Sequence, residues 1–261
     1  MKDDTPFDWG VHTLPPEGDV ELALGPLQLH LRRIAGEIRI RFFRTDELHR
    51  PAPAADEEDL WIRWIPSRDW SGELALTPGF PDRPVVVRPD NEFRLMQESE
   101  ARIYIRIPLE LHVEALGPHR HTLLQVPTRV LSDTWWGSPE EGRLHYFLDT
   151  KARRTMADHE FKEHLAICPM ELRNVSDEDL LVSRIALDTK YLTLYKDGTR
   201  LWSDETTVRY RGDDQESSLS VTGRPPREAP EAELVRPARE DMGRSFRAST
   251  FARQIRSSFR F

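Results

Sequence analysis

Residues 27–44 read LQLHLRRIAGEIRIRFFR. Leu27, Leu29 and Leu31 fall on one face of an extended chain, with Gln28, His30 and Arg32 on the other. Across Ala35-Gly36 the alternation resumes, Ile38, Ile40 and Phe42 opposing Glu37, Arg39 and Arg41. Glycine tolerates the positive φ of a tight turn, so the stretch predicts a β-hairpin with one wet face.

The same signals spread outward from this hairpin. Residues 20–24, closed by Gly25-Pro26, predict the strand before it. Residues 44–59 (RTDELHRPAPAADEED) are polar and proline-rich and predict a loop. Residues 60–65, 85–87, 92–96 and 102–113 predict strands, the last bent or at a sheet edge because Pro108 lacks a backbone donor. Further on, 123–131 and 143–148 predict strands, with 133–139 a turn carrying two tryptophans. Residues 165–173 and 180–187 flank an acidic loop and predict a hairpin. Residues 192–195 and 201–202 flank Asp197-Gly198 and predict another, followed by strands at 206–210 and 218–222. The body offers one weak helical segment, at 157–164.

Turn signals recurring about every ten residues indicate an all-β chain of two β-sandwich-like units. The expected division is an N-terminal β domain over 1–121, a C-terminal sandwich-like domain over 122–222, a flexible linker over 223–243 and a basic tail over 244–261. In the tail Phe251, Ile255 and Phe259 stand at i, i+4 and i+8, the spacing of a short amphipathic helix.

Bulk composition narrows the function classes. Cys168 is the single cysteine of 261 residues, so no internal disulfide and no multi-cysteine metal site can form. The sequence has neither an apolar run of signal-peptide type nor 18 consecutive apolar residues, and the expected location is cytoplasmic, with peripheral attachment to the inner membrane as an option. Of the net charge of −8, the segment 244–261 carries +5 from five arginines, leaving −13 on 1–243. An acidic body repels nucleic acid, so no nucleic-acid partner is expected.

Several short stretches stand out. They are Trp9-Gly10; Leu24-Gly25-Pro26-Leu27-Gln28-Leu29; and Trp135-Trp136-Gly137-Ser138-Pro139 with Gly142 and Tyr146. Further along come Cys168-Pro169-Met170 before Leu172-Arg173-Asn174, Tyr191-Leu192-Thr193-Leu194-Tyr195, Arg200-Leu201-Trp202, and a closing Arg247-Ala248 with phenylalanines. In these the chain resembles a prokaryotic family known as domain of unknown function 432. The resemblance implies no activity. It does imply an association with genes for small-conductance-type mechanosensitive channels, which is not a mechanism. The arginine-rich terminus is longer than the family pattern.

His119-x-His121, near His112 and His145, has strand spacing for a metal, but Gly117-Pro118 precedes it and no acidic ligand is suitably spaced. Exposed loop histidines are expected, and no metal. Asp177, Glu178 and Asp179 read as turn formers, and Cys168 as a buried inert thiol. No nucleophile elbow or phosphate loop occurs, so no catalytic residue and no cofactor is expected, and the protein is read as a non-enzyme.

Trp61, Trp64, Trp135 and Trp136 could form a platform for a carbohydrate or small ligand, though aromatic clusters more often build cores and interfaces. The tail residues Phe246, Arg247, Phe251, Arg253, Ile255, Arg256, Phe259 and Phe261 are the expected partner-binding set, for a protein groove or an anionic membrane surface. The favoured expectation is a non-catalytic interaction or regulatory protein, an accessory to a membrane protein such as a mechanosensitive channel. The alternatives are a ligand-binding module and an enzyme of unrecognised type.

Overall fold

The computed structural model of the chain describes residues 7–46, 60–137, 139–140, 142–157, 161–212, 217–242 and 246–248. The fold is all-β, with no α-helix among the described residues. The chain divides into two units: residues 1–79 with 108–130, and 80–107 with 131–261. Strands are numbered in chain order across both.

The first unit holds β1 (Gly10–Thr13), β2 (Asp19–Leu24), β3 (Leu27–Ile34), β4 (Glu37–Arg44), β5 (Ile62–Trp64), β6 (Glu73–Gly79), β10 (Glu110–Ala115) and β11 (His121–Pro127). They form two four-stranded sheets, β2-β3-β4-β5 and β1-β6-β10-β11, both antiparallel. The hairpin at 27–44 forms as its alternation predicts, Leu31 opposite Ile40 and Leu29 opposite Phe42. Its turn takes φ of +49° at Ala35 and +76° at Gly36, the left-handed pair that matches strand twist. Leu27, Leu29, Leu31, Ile38 and Ile40 are buried, as are Leu74, Leu76, Leu111 and Val113 of the other sheet.

Both ends of the inner row of β3 and β4 are arginines. Arg44 sends Nε and Nη2 to the Pro127 carbonyl at 2.9 and 2.6 Å. Arg33 lays its guanidinium 4.8 Å from the centre of the Trp70 ring. The charges are satisfied by a carbonyl and by an aromatic face, so the apolar row continues to its ends.

The second unit holds β7 (Val85–Pro89), β8 (Phe93–Leu95), β9 (Ser99–Pro108), β12 (Ser132–Trp136), β13 (Arg143–Ala152), β14 (Leu165–Asn174) and β15 (Leu180–Val182). It continues with β16 (Ile185–Leu187), β17 (Leu194–Asp197), β18 (Arg200–Ser203), β19 (Thr206–Tyr210), β20 (Ser217–Val221), β21 (Glu233–Arg236) and β22 (Phe246–Ala248). The sheets are β12-β13-β7-β16, the pair β15-β8, and the largest, β21-β17-β18-β14-β19-β20-β22, with β9 also on β14. Pairings β13·β7, β14·β18 and β14·β19 are parallel. The strand β14 is apolar almost throughout, as burial on both faces requires.

Several sequence expectations are corrected. The long strand at 102–113 is two strands, β9 and β10, and the chain passes from one unit to the other at 107/108. The division therefore differs from a single cut at 121/122. Residues 133–139 are not a turn throughout; 132–136 are strand β12, Trp135 opposite Leu144. The hairpin expected from 165–173 and 180–187 does not form: β15 pairs with β8 and β16 with β7. Buried Asn174 is the reason, its amide donating to the carbonyls of Leu95, Met96 and Glu178 at 3.0, 3.1 and 2.7 Å and fastening the turn to the β8 segment.

The expected linker at 223–243 is built into the second unit. Ala229 and Ala232 are buried in a cluster with Ile167, Tyr195 and Trp202, and β21 pairs with β17. Residues 161–164 of the expected short helix are coil and turn, with the Phe161 ring 5.4 Å from that of Trp202. In the tail, 246–248 are a strand rather than helix, because β20 offers an edge and Ser217 pairs with Ala248. The remaining tail residues, including Phe251, Arg253, Ile255, Arg256, Phe259 and Phe261, lie outside the described residues.

Candidate functional site

The first unit contains a pocket of about 420 Å³, within the range of small-molecule sites. Its walls come from β5 and the turn after it, Trp64 to Ser67, and from the end of β10 through β11, Ala115 to Leu123, with Ile38 and Trp70 behind. Strands β5 and β11 are each the last strand of their sheet. The pocket is the opening between two sheet edges, where neither strand has a neighbour to close the gap.

Period two decides which tryptophan serves it. Trp64 lies opposite Ile38, on the inner face of its sheet, whereas Arg63 lies opposite Arg39 on the outer face. Trp64 lines the pocket and keeps 37% of its surface exposed; Ile65 beside it is 86% exposed. Trp70 is buried, its indole N–H donating to the Glu73 carbonyl at 2.9 Å and its ring held against Arg33. One wall is therefore fixed and the other stands free at the mouth.

On the opposite side the β10–β11 register slips between Val113 and Glu114, so that Val113 faces Leu124 and Glu114 faces Thr122. Leu123 is the extra residue of a β-bulge. A bulge bends a strand and re-aims its side chains. Here His121, Thr122 and Leu123, three consecutive residues, all line the pocket. His119 joins them from the preceding turn. Both histidines are exposed, as expected, but His121 opens strand β11 rather than lying in a loop, and the two share one cavity.

The remaining tryptophans of the expected platform are elsewhere. Trp61 is buried on the outer face, between the guanidinium groups of Arg32 and Arg41, each 4.9 Å from its ring centre. In the second unit Trp136 is buried with Val86 and Ala186, its ring 6.2 Å from that of His145, whose pKa burial lowers. Trp135 points outward, 53% exposed. Trp70, close to Trp61 and Trp64 in the chain, lay outside the expected platform set.

In the second unit one nucleophilic and acidic cluster is closed to solvent. Cys168, Ser203 and Asp204 are buried. Burial pushes the Cys168 thiol up to about 12 and the Asp204 carboxyl up to about 6. Asp204 accepts the backbone N–H of Thr193 and of Gly223, both at 3.0 Å, which joins two segments rather than preparing an acid for solvent-borne substrate. Among the described residues no group of three or more histidine, cysteine or acidic side chains could hold a metal ion. Nor is any helix there long and apolar enough to cross a membrane.

No curated protein and no solved structure matches the chain. A family model described as protein of unknown function, DUF432, matches residues 8–255, in accord with the motifs read from the sequence, and the chain belongs to that family.

Proposed function

We propose that this protein is a non-catalytic binding and regulatory protein, its first unit holding an apolar ligand in the pocket between β5 and β11. The observation that carries the reading is the pairing of a fixed, buried Trp70 with an open Trp64 in a cavity of about 420 Å³. An exposed tryptophan and isoleucine at a cavity mouth leave apolar surface in water, and a ligand that covers them gains about 25 cal/mol per Å². The basic tail fits the second half of the reading, docking on an acidic or membrane-embedded partner. A cytoplasmic accessory to a membrane protein such as a mechanosensitive channel agrees with that charge pattern.

The test is titration with N-phenyl-1-naphthylamine, a neutral apolar dye that brightens out of water. The expected result is saturable binding of one dye per chain, weakened about tenfold or more by Trp64→Ala. Trp135→Ala serves as the control and leaves it unchanged. Absence of saturable binding, or equal loss in both variants, would show that the pocket is not the ligand site.

A further inference from the structure

Resting on that reading, we infer that the pocket selects an anionic amphiphile: an apolar body seated against Trp64 and Trp70, with a carboxylate or phosphate head at His119 and His121. The apolar floor and walls come from Ile38, Leu116, Leu123 and the two tryptophans. The polar groups stand on both walls, three of the four on the β11 side. His119, His121 and Thr122 come from the β11 end, and Ser67 from the turn after β5. Each can donate a hydrogen bond.

Hydrogen-bond donors, with no carboxylate among them, decide the head group. The lining contains no carboxylate, although the chain has 45 acidic residues against 37 basic ones. Behind Trp70 stands the guanidinium of Arg33, 4.8 Å from the ring centre, its Nη1 donating only a long 3.4 Å bond to the Leu14 carbonyl. A cationic head would find no counter-charge in the lining. An anionic head meets donors.

The bulge gives the arrangement its geometry. In a regular β11 carrying on from the buried Leu124 and Val126, Thr122 would face inward and His121 and Leu123 outward. The extra residue instead places all three at the cavity, so apolar wall and polar rim come from adjacent positions. Among the described residues neither His119 nor His121 has a hydrogen-bond or ion-pair partner, and both rings are left to serve what enters.

The experiment compares 2-naphthoate with 2-naphthalenemethanol as competitors of the bound neutral dye, on the full chain at constant pH and ionic strength. The two share an apolar body and differ in the head. The inference expects naphthoate to displace the dye at a concentration at least tenfold lower. It expects His119→Ala with His121→Ala to abolish that preference, so that acid and alcohol displace the dye at equal concentrations. Naphthyl phosphate, run beside the carboxylate, tells which anionic head is preferred. Equal displacement by acid and alcohol would overturn the inference and leave the apolar pocket standing. A preference that survives the double substitution would place the head elsewhere and overturn it too. A histidine-dependent rise in melting temperature with zinc, without any acid preference, would make the pair a cation site. Failure of the dye itself to bind would sink the proposed function as well.

Discussion

Arg102 of β9 and Glu228 form a two-pronged ion pair, Nε to Oε1 at 2.8 Å and Nη2 to Oε2 at 2.7 Å, across 126 positions of sequence. Tyr104 donates its hydroxyl to the same Oε1 at 2.7 Å, and Glu205 holds the far side of Arg102 at 2.8 Å. This network turns a segment with linker composition into part of the second unit.

Glu228→Gln should therefore loosen residues 223–236. Burial raises the Glu228 pKa, but the hydrogen bonds from Arg102 and Tyr104 outweigh it and the net shift is downward. Its contribution to stability is thus present above the ordinary glutamate range and is lost as pH falls through the lower folded value. At neutral pH the substitution should cost about 2 kcal/mol, less than a fully buried pair, since the two side chains keep 11% and 21% exposure. Limited digestion with subtilisin, which has little sequence preference, should then cut within residues 223–236 sooner than in the parent. Unchanged cleavage there would mean that β21 alone retains the segment.

Asp204 has the opposite sign. Burial lifts its pKa from 3.8 to about 6, with the N–H groups of Thr193 and Gly223 offsetting part of the rise. A raised carboxyl stabilises the fold fully below the unfolded value and loses that contribution as pH rises through the folded one. Asp204→Asn removes the titration and leaves one backbone N–H without an acceptor. The variant should be destabilised at all pH values, and by about 2 kcal/mol more at pH 4.5 than at pH 7.5. Urea unfolding at the two pH values measures the difference, and a gap that does not widen on acidification would contradict the buried-carboxylate account.

Ala35 occupies a left-handed conformation at φ +49° on an exposed turn. Asparagine tolerates that region better than alanine. Ala35→Asn should raise stability by about 0.5–1 kcal/mol, read as a higher urea midpoint with an unchanged slope. A lower midpoint would count against the turn geometry.

For the tail, truncation should begin after Ala248, because Phe246–Ala248 pair with β20. Ile255→Asp should reduce retention on membranes carrying the partner, by placing a charge in an apolar contact. Arg253→Glu with Arg256→Glu should mainly reduce the salt dependence of association. Anionic vesicles alone distinguish lipid from protein docking. If truncation after Ala248 left every association unchanged in a pull-down from native membranes, the docking role of the tail would be lost.

Local alternation made most strands legible, and 27–44 shows why: every second residue is apolar and the turn is marked by glycine. Connectivity was not legible. The parallel pairing of β14 with β18 and β19 leaves no short turn in the chain to announce it. A division that sends 80–107 to one unit and 108–130 to the other is invisible to composition, and Pro108 was its only trace. Residues 223–243 misled because single contacts, Arg102 with Glu228 above all, outweigh a polar composition. At the pocket, the strand phase that separates Trp61 from Trp64 could be read from sequence. The bulge at Leu123, which brings His121 and Thr122 to one cavity, could not, since it depends on register with β10.

The most direct test of the central claim is a ¹H–¹⁵N spectrum of protein labelled with indole-¹⁵N tryptophan, recorded during titration with N-phenyl-1-naphthylamine. Seven indole signals are expected from seven tryptophans, each assignable by substitution. Saturable shifts are expected at Trp64 and Trp70 with a common dissociation constant, while Trp9, Trp61, Trp135, Trp136 and Trp202 stay in place. Shifts confined to Trp135, or no shift at Trp64 at saturating dye, would contradict it.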